Sequence, residues 1–580
     1  MDEKILKIRH SLSHILALAV KRIYKDVKFG IGPAIDNGFY YDFDFLEPIK
    51  ENDIEIIESE MRKIINENQD FILEEWNKEK AIDYFSKLGE NFKLELIDGI
   101  EGSSVSIYKN GEFTDLCKGP HISNSGELRN VGFKLSSIAG AYWRGSERNK
   151  MLTRIYGYAF ATKKELNDYL KFLEEAQKRD HRIIAKNLDL YSINEDVGPG
   201  LILWHPNGST IRYEIENFWR EKHLKNGYKF IYTPHIGREN LWKTSGHLDF
   251  YKQAMYLPMK IDEINYYVKP MNCPFHIQIY KSRTRSYRDL PLRWAELGTV
   301  YRFEKAGVLH GLLRVRGFTQ DDAHIICTPE QVESEVVEVL GFSLDIWKAF
   351  GFDSVKAYIA TRPNDSIGDK EMWALAQNSL IKAVEKHNLN YEIEEGGGAF
   401  YGPKIDLKIK DAIGREWQTT TIQFDFNLPE RFEMEYSSPS GKLKRPYMIH
   451  RALLGSLERF FGVLIEHYAG LFPTWLSPVQ VYLLNITSQE EGYVKDIYKK
   501  LIENGVRAEI DLTTEPISGK IRRAASFKPP YIIIAGKNET EKKVISLKVR
   551  GNKNINNINF DDFLFNVKSE ISSRSNKLSY

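Results

Sequence analysis

A charged stretch without glycine or proline, at residues 162–186, separates the first quarter of this 580-residue chain from the remainder. Its apolar residues recur at steps of three and four, as one face of a helix requires; they are Leu166, Leu170, Leu173 and Ala176. We therefore predict one helix over this stretch, linking two folded bodies.

A second break lies at Pro473 and Pro478, which precede a β-rich run. Beyond it, β-rich runs alternate with helical stretches such as 489–504, and this pattern is typical of a small α/β domain. The predicted division is 1–161, a linker helix at 162–186, 187–473 and 474–580. The last unit has more basic than acidic residues, which fits either contact with a nucleic-acid backbone or an ordinary solvated surface.

The composition excludes several classes of protein. With 42% hydrophobic and 28% charged residues the chain is globular rather than disordered. No stretch approaches the ~18 apolar residues of a membrane span, and the acidic N-terminus does not resemble a signal peptide. Three scattered cysteines, Cys117, Cys273 and Cys327, favour a reduced, cytoplasmic setting.

Residues 300–325 are dense in charge. Their β-branched or aromatic ends and polar middle predict two antiparallel strands joined by a long loop. Arg302, Glu304, Arg314 and Arg316 fit either a triphosphate site, because guanidinium binds phosphate oxygens in a fork, or a salt-bridged surface hairpin.

Residues 448–473 predict a helix that carries Arg459. At 100° per residue its core stripe is Leu453, Leu457, Phe460 and Leu464, and Gly455 and Gly462 lie beside Arg459 on the opposite face. Each glycine costs up to ~1 kcal/mol in a helix, so the pair indicates either ligand access to the arginine or close helix packing.

The first unit contains two pairs of possible metal ligands, each with its members four residues apart. On the helix predicted by RHSLSHILALAVKRIY, His10 and His14 lie opposite an apolar stripe, and TDLCKGPHI places Cys117 and His121 at the same four-residue spacing. Either pair could bind metal or belong to a solvated surface.

Three central segments resemble class II aminoacyl-tRNA synthetases, and within them the threonyl-tRNA synthetase subfamily. They are VKPMNCPFH, the hairpin at 300–325 and the helix at 448–473, while GSTIRYEIENFWREKHLKNGYKFIYTPHI resembles motif 1 of the class. The resemblance implies an α+β multidomain protein: a central antiparallel sheet with helices, an N-terminal α+β editing domain and a C-terminal α/β anticodon-binding domain. It also implies a homodimer.

The resemblance implies one Zn²⁺ per subunit, bound by Cys273, His324 and His450 with an open fourth position. Threonine and valine are nearly isosteric, and an apolar pocket separates such a pair only ~10²-fold. Coordination of the threonine amino group and hydroxyl would exclude valine. Asp322, two residues before His324, would lie on the same strand face and accept the hydroxyl proton.

Further roles follow from the same resemblance. Arg302 would hold the α-phosphate and the carboxylate, Glu304 the adenine, Arg314 phosphates, and Arg459 the region of adenine and γ-phosphate. The implied reaction is activation of L-threonine with ATP and Mg²⁺, followed by transfer to the 3′ end of tRNA(Thr). The amino-acid pocket or the transfer step would involve Met271, Gln320, Tyr401, Gln418, Thr421 and Gln423.

The first unit resembles the editing domain of threonyl- and alanyl-type synthetases, which implies hydrolysis of seryl-tRNA(Thr). The matching residues are His10, His14, Lys93, Asp115, Cys117 and His121, with metal binding left open. Because the chain begins at this unit, we expect it to lack the ubiquitin-like domain of many family members. In the last unit the loosely matching surface is Glu515, Arg522, Arg523 and Lys528.

Two departures from the family pattern concern pocket shape: Phe275 replaces the usual glycine after MNCP, and Thr419 and Thr420 replace a common Cys-Gly pair. Two other functions compete with a ligase. A silent tRNA- or mRNA-binding paralogue would be expected to lose a motif arginine or a metal ligand, and these are all present. A zinc hydrolase built on His10, His14 and Cys117 would leave about 400 residues and the ATP motifs unexplained.

Overall fold

The computed structural model describes residues 3–364, 366, 370–399, 401–551 and 553–580. The chain forms two compact units, residues 1–174 and 175–580. Among the described residues, no helix combines the length and the apolar character needed to cross a membrane.

The first unit packs helix α1 (Glu3–Ile23) into its core through Leu12 and Leu16, as the sequence predicts. One sheet has the order β1-β3-β8-β7 with β2 paired to β3, and a second has the order β4-β5-β6. The strands are β1 (Lys28–Phe29), β2 (Ala34–Ile35), β3 (Gly38–Asp44), β4 (Phe71–Asn77), β5 (Ser104–Asn110), β6 (Phe113–Leu116), β7 (Gly132–Tyr142) and β8 (Met151–Phe160); the other helices are α2 (Asp53–Asn66), α3 (Lys78–Lys87) and α4 (Asn91–Asp98).

The predicted single linker helix over 162–186 is wrong. The segment forms two helices, α5 (Lys163–Lys178) and α6 (His181–Leu188). Asp180 leaves the helical conformation (φ −53°, ψ 118°), and its carboxylate accepts a hydrogen bond from the Arg182 N–H as the N-cap of α6. The apolar spacing detects both helices but not the cap between them.

The second unit is built on a sheet of eight strands in the order β11-β15-β16-β23-β20-β19-β17-β18, antiparallel except at its two outermost pairs. Helices α7, α11, α12 and α14 contribute to the core on one face of this sheet. The strands are β9 (Tyr191–Ser192), β10 (Leu203–Trp204), β11 (Lys229–Phe230), β12 (Ile236–Arg238), β13 (Met259–Ile261), β14 (Ile264–Val268), β15 (Leu292–Tyr301), β16 (Gly317–Cys327), β17 (Val355–Ala360), β18 (Tyr391–Glu394), β19 (Lys404–Lys410), β20 (Glu416–Asp425), β21 (Tyr436–Ser437), β22 (Leu443–Lys444) and β23 (Tyr447–Ser456). The helices are α7 (Pro206–Lys225), α8 (Glu239–Thr244), α9 (His247–Phe250), α10 (Cys273–Lys281), α11 (Val332–Ala349), α12 (Lys370–Lys386), α13 (Asn427–Arg431) and α14 (Leu457–Tyr468).

The arginine-rich hairpin is confirmed: β15 and β16 are antiparallel, Tyr301 pairs with Gly317, and residues 302–316 form the long loop. We call residues 302–316 the motif 2 loop.

The predicted helix over 448–473 is wrong in its first part, which is strand β23. Asp321 accepts hydrogen bonds from the N–H groups of Leu453 and Leu454, and Gly455 then adopts φ +77°, a conformation that favours glycine. The helix begins only at Leu457. Gly455 therefore serves a backbone turn and does not share a helix face with Arg459.

The C-terminal part of the second unit is an α/β arrangement, as predicted, around a sheet in the order β25-β24-β26-β27-β28. Its strands are β24 (Val481–Asn485), β25 (Ala508–Asp511), β26 (Tyr531–Ala535), β27 (Val544–Val549) and β28 (Lys553–Asn559), and its helices are α15 (Glu491–Glu503), α16 (Ile517–Ser526), α17 (Lys537–Lys542) and α18 (Phe560–Ser573). Arg507 pairs with Glu214 at 2.5 Å and so joins this part to helix α7.

Candidate active and editing sites

Three metal-binding side chains converge at the centre of the eight-stranded sheet. His324 on β16 and His450 on β23 are direct cross-strand partners, with 2.8 Å between His324 Nε2 and His450 Nδ1. Cys273 at the start of α10 completes a group whose ligand atoms lie within 4.8 Å of one another. One thiol and two imidazoles form a donor set that suits Zn²⁺ and leaves a fourth position for substrate.

The outer nitrogen of each histidine in this group has its own partner. His450 Nε2 lies 2.7 Å from Asp425 Oδ2, and His324 Nδ1 lies 2.6 Å from Nδ1 of His276, whose Nε2 is 3.0 Å from Glu296 Oε2. One proton assignment satisfies all three outer contacts: His450 donates to Asp425, His324 to His276, and His276 to Glu296. The two inner nitrogens are then free of protons, as metal ligands must be, and their outer partners match the usual second layer of a zinc site.

A cavity of 210 Å³ adjoins this group and is lined by Met271, Cys273, Tyr401, Asp425 and His450 among others. Asp322 is buried and accepts a hydrogen bond from Asn272 Nδ2 at 3.0 Å. Tyr401 Oη donates to Gln423 Oε1 at 3.1 Å. His247 also lines the cavity, and no sequence pattern marked it because it stands alone in SGHLDF.

The remaining pocket residues lie on two strands of the same sheet. Gln320 is on β16, opposite Ser456. In the pairing of β19 with β20, Asp406 is opposite Thr421 and Lys408 is opposite Gln418, so β20 has a β-bulge with one extra residue. Because of this bulge, Gln418 lies on the same face of β20 as Thr421 and Gln423. Thr421 Oγ1 donates to Asp406 Oδ1 at 2.6 Å.

Two charged residues of the motif 2 loop are paired with each other. Arg314 Nη2 donates to Glu304 Oε2 at 2.9 Å, which is the salt-bridged alternative for this hairpin. Arg302 donates to the Pro270 carbonyl at 3.3 Å and lies over the ring of Phe318. Arg459 is exposed in the first turn of α14.

The two departures from the family pattern point away from the cavity. Phe275 packs against Gly237 and Trp242 on the far side of α10. Thr420 is buried and exchanges hydrogen bonds with Trp347 Nε1 and the Leu453 carbonyl, and Thr419 donates to the Leu407 carbonyl. These substitutions bear on packing, and none of the three residues lines the cavity.

In the first unit the structure brings all six predicted editing residues into one cluster. Cys117 Sγ lies 3.3 Å from His10 Nε2 and 3.3 Å from His121 Nε2. His14 Nε2 is 3.6 Å from Asp115 Oδ2, and Lys93 pairs with Asp115. Tyr41 donates to Asp115 at 2.6 Å and accepts from Lys93 at 3.0 Å. Tyr41 is not among the residues predicted from the sequence, because its place in an alternating strand indicates only core packing.

Burial controls protonation in this cluster. It lowers the pKa of His10, and it lowers those of His14 and His121 further, so the three imidazoles are neutral at pH 7. Burial, reinforced by Asp115, raises the pKa of the Cys117 thiol to about 12. The cluster therefore offers neutral bases and a protonated thiol, an arrangement that can orient a water molecule but does not supply a thiolate nucleophile.

The four candidate surface residues of the last part are only partly available. Lys528 Nζ donates to the Ala469 carbonyl at 2.7 Å, and Arg523 pairs with Asp511 and Glu515. Arg522 is exposed.

Comparison with known families assigns all three folded parts. Residues 256–468 match the class II tRNA synthetase core domain (G, H, P, S and T), 480–570 an anticodon binding domain, and 105–156 the second additional domain of threonyl and alanyl tRNA synthetases. A threonine–tRNA ligase of Borrelia hermsii is 54% identical over 99% of this chain and 98% of its own length. The chain belongs to the threonine–tRNA ligase family. The fold class, the family and the enzyme class expected from the sequence are thereby confirmed.

Other similar proteins support the same family and fold. A threonine–tRNA ligase of Aquifex aeolicus is 53% identical over 99% of this chain and 90% of its own length. A crystal structure of a threonyl-tRNA synthetase RNA binding domain from Cryptosporidium parvum has a TM-score of 0.64 at 37% identity and covers 69% of this chain and 99% of its own. A prolyl-tRNA synthetase of the same organism shares the fold, with a TM-score of 0.53 at 16% identity over 68% of this chain and 75% of its own.

Proposed function

We propose that this chain activates L-threonine with ATP, transfers it to the 3′ end of tRNA(Thr) and hydrolyses seryl-tRNA(Thr) at a separate site. The observation that carries the proposal is the convergence of Cys273, His324 and His450 beside a 210 Å³ cavity in the class II core. We further propose one Zn²⁺ per subunit at this group, Mg²⁺ with ATP, a homodimer acting in the cytoplasm, and the division 1–161, 162–186, 187–473 and 474–580.

Each amino-acid contact has a candidate residue. When bound, Zn²⁺ supplies a Lewis-acid position for the threonine amino group and hydroxyl. Asp322, oriented by Asn272, accepts the hydroxyl proton, and this contact discriminates against valine because an unpaired buried carboxylate is costly. Met271, Gln320, Tyr401, Gln418, Thr421 and Gln423 hold the rest of the amino acid or assist its transfer.

The nucleotide is held by the arginines. Arg302 and Arg459 neutralise phosphate charge as the adenylate forms. Glu304 and Arg314 exchange their mutual ion pair for contacts with adenine and phosphate; the exposure of that pair makes the exchange inexpensive.

The editing site is needed because the amino-acid pocket discriminates poorly against serine. Serine has the amino group and hydroxyl of threonine, and the missing methyl group alone gives only ~10–200-fold discrimination. Neutral His10 and His14, with Cys117 and His121 beside them, orient or activate the hydrolytic water, and Lys93 and Asp115 fix the wall of the pocket. Deacylation of seryl-tRNA(Thr) by wild type and by the His10→Ala/His14→Ala variant tests this role, and equal rates would contradict it.

Metal analysis and threonine-dependent ATP–pyrophosphate exchange test the activation site. Wild-type protein should contain one zinc per chain and catalyse exchange, and Cys273→Ser should lose both. Cys327→Ser is the matched control, because Cys327 at the end of β16 is also buried but belongs to none of the possible metal-binding groups found among the described residues. Active, chelator-free wild type without zinc would refute the assignment.

A further inference from the structure

A buried histidine outside the proposed pocket joins three elements of the second unit. His181, in the first turn of α6, is fully buried. Its Nδ1 lies 2.7 Å from Glu466 Oε1 near the end of α14, and its Nε2 lies 3.1 Å from the backbone nitrogen of Leu312 in the motif 2 loop. The Leu312 N–H can only donate, so Nε2 must be unprotonated, and Nδ1 then carries the proton given to Glu466.

The contact at Leu312 controls the loop segment that carries Arg314. Residues 310–314 form a tight turn, in which the backbone nitrogens of Leu313 and Arg314 lie 2.9 and 3.3 Å from the His310 carbonyl oxygen and the His310 nitrogen lies 3.1 Å from the Arg314 oxygen. The turn therefore moves as one piece. Fixing Leu312 fixes the backbone of Arg314 two residues later.

The fit between the turn and its surroundings leaves no spare room. A Cβ on Gly311 would stand 2.2 Å from His181 Nε2, closer than any real contact. A Cβ on Gly462 of α14 would lie 3.1 Å from Leu313 and 3.2 Å from Leu312. Of the two explanations offered for Gly462, close packing is therefore the one that the structure supports.

Glu466 is itself held in place. Its Oε2 pairs with Arg415 at 2.6 Å, and its Oε1 also accepts from the His181 backbone N–H at 3.2 Å. Asp180, His181 and Glu466 are close enough to be considered as a metal site. Both ring nitrogens of His181 are already used and Glu466 is neutralised by Arg415, so a structural bridge accounts for the group better than an ion does.

We propose that His181 is a positioning residue of the nucleotide site: it fixes the 310–314 turn against α14, and so sets the distance between Arg314 on the turn and Arg459 in the first turn of that helix. The proposal rests on the nucleotide roles proposed above for these two arginines. It assigns α6 a task in threonine activation.

Two substitutions of His181 separate its two hydrogen bonds. Glutamine reaches as far as Nε2 and can still accept from the Leu312 N–H, whereas asparagine reaches only as far as Nδ1 and cannot. His181→Asn should raise the KM for ATP in pyrophosphate exchange about tenfold or more, the usual effect of one buried donor left unpaired, while His181→Gln stays within about threefold of wild type. The KM for threonine and the zinc content should not change in either variant.

Hydrogen exchange of the full-length protein gives a readout independent of activity. The Leu312 amide should exchange faster in His181→Asn and in Gly311→Ala, and remain protected in His181→Gln. His387→Ala is the matched control, because His387 Nε2 also makes a side-chain-to-backbone hydrogen bond, to the Val337 carbonyl, but lies away from the loop. It should leave the KM for ATP and the Leu312 protection unchanged.

The outcomes distinguish the two levels of the proposal. If wild type fails to catalyse threonine-dependent exchange, the proposed function falls, and the hydrogen-exchange result still decides whether His181 holds the turn. If wild type is active and folded His181→Asn keeps both the wild-type KM for ATP and the protection of Leu312, His181 is not a positioning residue. Equal losses in the Asn and Gln variants, matched by His387→Ala, would reduce its role to general stability.

Discussion

Replacing Gly298 by alanine should damage threonine recognition without touching the metal or the nucleotide. Gly298 lies on β15, and an added Cβ would stand 2.4 Å from Asn272 Nδ2 and 2.6 Å from its Oδ1. Asn272 is completely buried and cannot turn to solvent, so it must leave its 3.0 Å hydrogen bond to Asp322. Asp322 would then be free to rotate away from the threonine hydroxyl.

The size of the effect follows from that hydrogen bond. A hydrogen bond to a charged group contributes about 1.5–3 kcal/mol, which corresponds to a roughly ten- to hundredfold rise in the KM for threonine. The KM for ATP should stay near the wild-type value. Asn272→Ala removes the same hydrogen bond without a steric clash, so it should reproduce the effect if Gly298→Ala folds poorly.

Pyrophosphate exchange at varied threonine and at varied ATP measures both constants. Gly492→Ala is the matched control, because a Cβ there meets nothing within 4 Å and the residue is helical. If folded Gly298→Ala and Asn272→Ala both keep the wild-type KM for threonine, Asp322 does not depend on Asn272 and the prediction is wrong.

Three further predictions concern charge and protonation. Arg302→Ala and Arg459→Ala should each lower the exchange rate about 10²–10³-fold with Tm unchanged, and wild-type rates would make both arginines surface residues. Glu296→Gln, which disturbs the His276–His324 chain, should weaken zinc binding about 10–100-fold in a competition titration with a chelator, and unchanged affinity would remove this chain from the site. Because burial lowers the pKa of His10, its neutral form persists into more acidic solution, so the acid limb of seryl-tRNA(Thr) deacylation should fall below pH 6.5, the ordinary value; a limb at or above 6.5 would contradict this.

Hydrophobic periodicity and strand alternation correctly predicted helix α1 and the arginine-rich hairpin. The apolar stripe of α1 and the alternating ends of the arginine hairpin are enough to place His10 beside His14 and to identify the motif 2 loop. The predictions of one helix over 162–186 and one helix over 448–473 were wrong for the same reason. Asp180 caps a helix, and Asp321 accepts from the N–H groups of Leu453 and Leu454 on a strand. Hydrophobic periodicity detects none of these hydrogen bonds.

The metal group shows a different limit. Its ligands stand on two strands and a helix that only the folded sheet brings together, so spacing could not identify them and the family resemblance did. The outer contacts of His276, Glu296 and Asp425, and the presence of Tyr41 in the editing cluster, depend on side-chain geometry that neither the spacing nor the resemblance had revealed.

The most direct test of the account compares threonine, serine and valine in ATP–pyrophosphate exchange by the zinc-loaded wild type. A pocket that reads the hydroxyl through Asp322 and the metal group should activate threonine best and serine measurably, and should leave valine at background. Activation of valine at a rate equal to or above that of serine would show that the pocket selects by shape alone, and it would contradict the role given to Cys273, His324, His450 and Asp322.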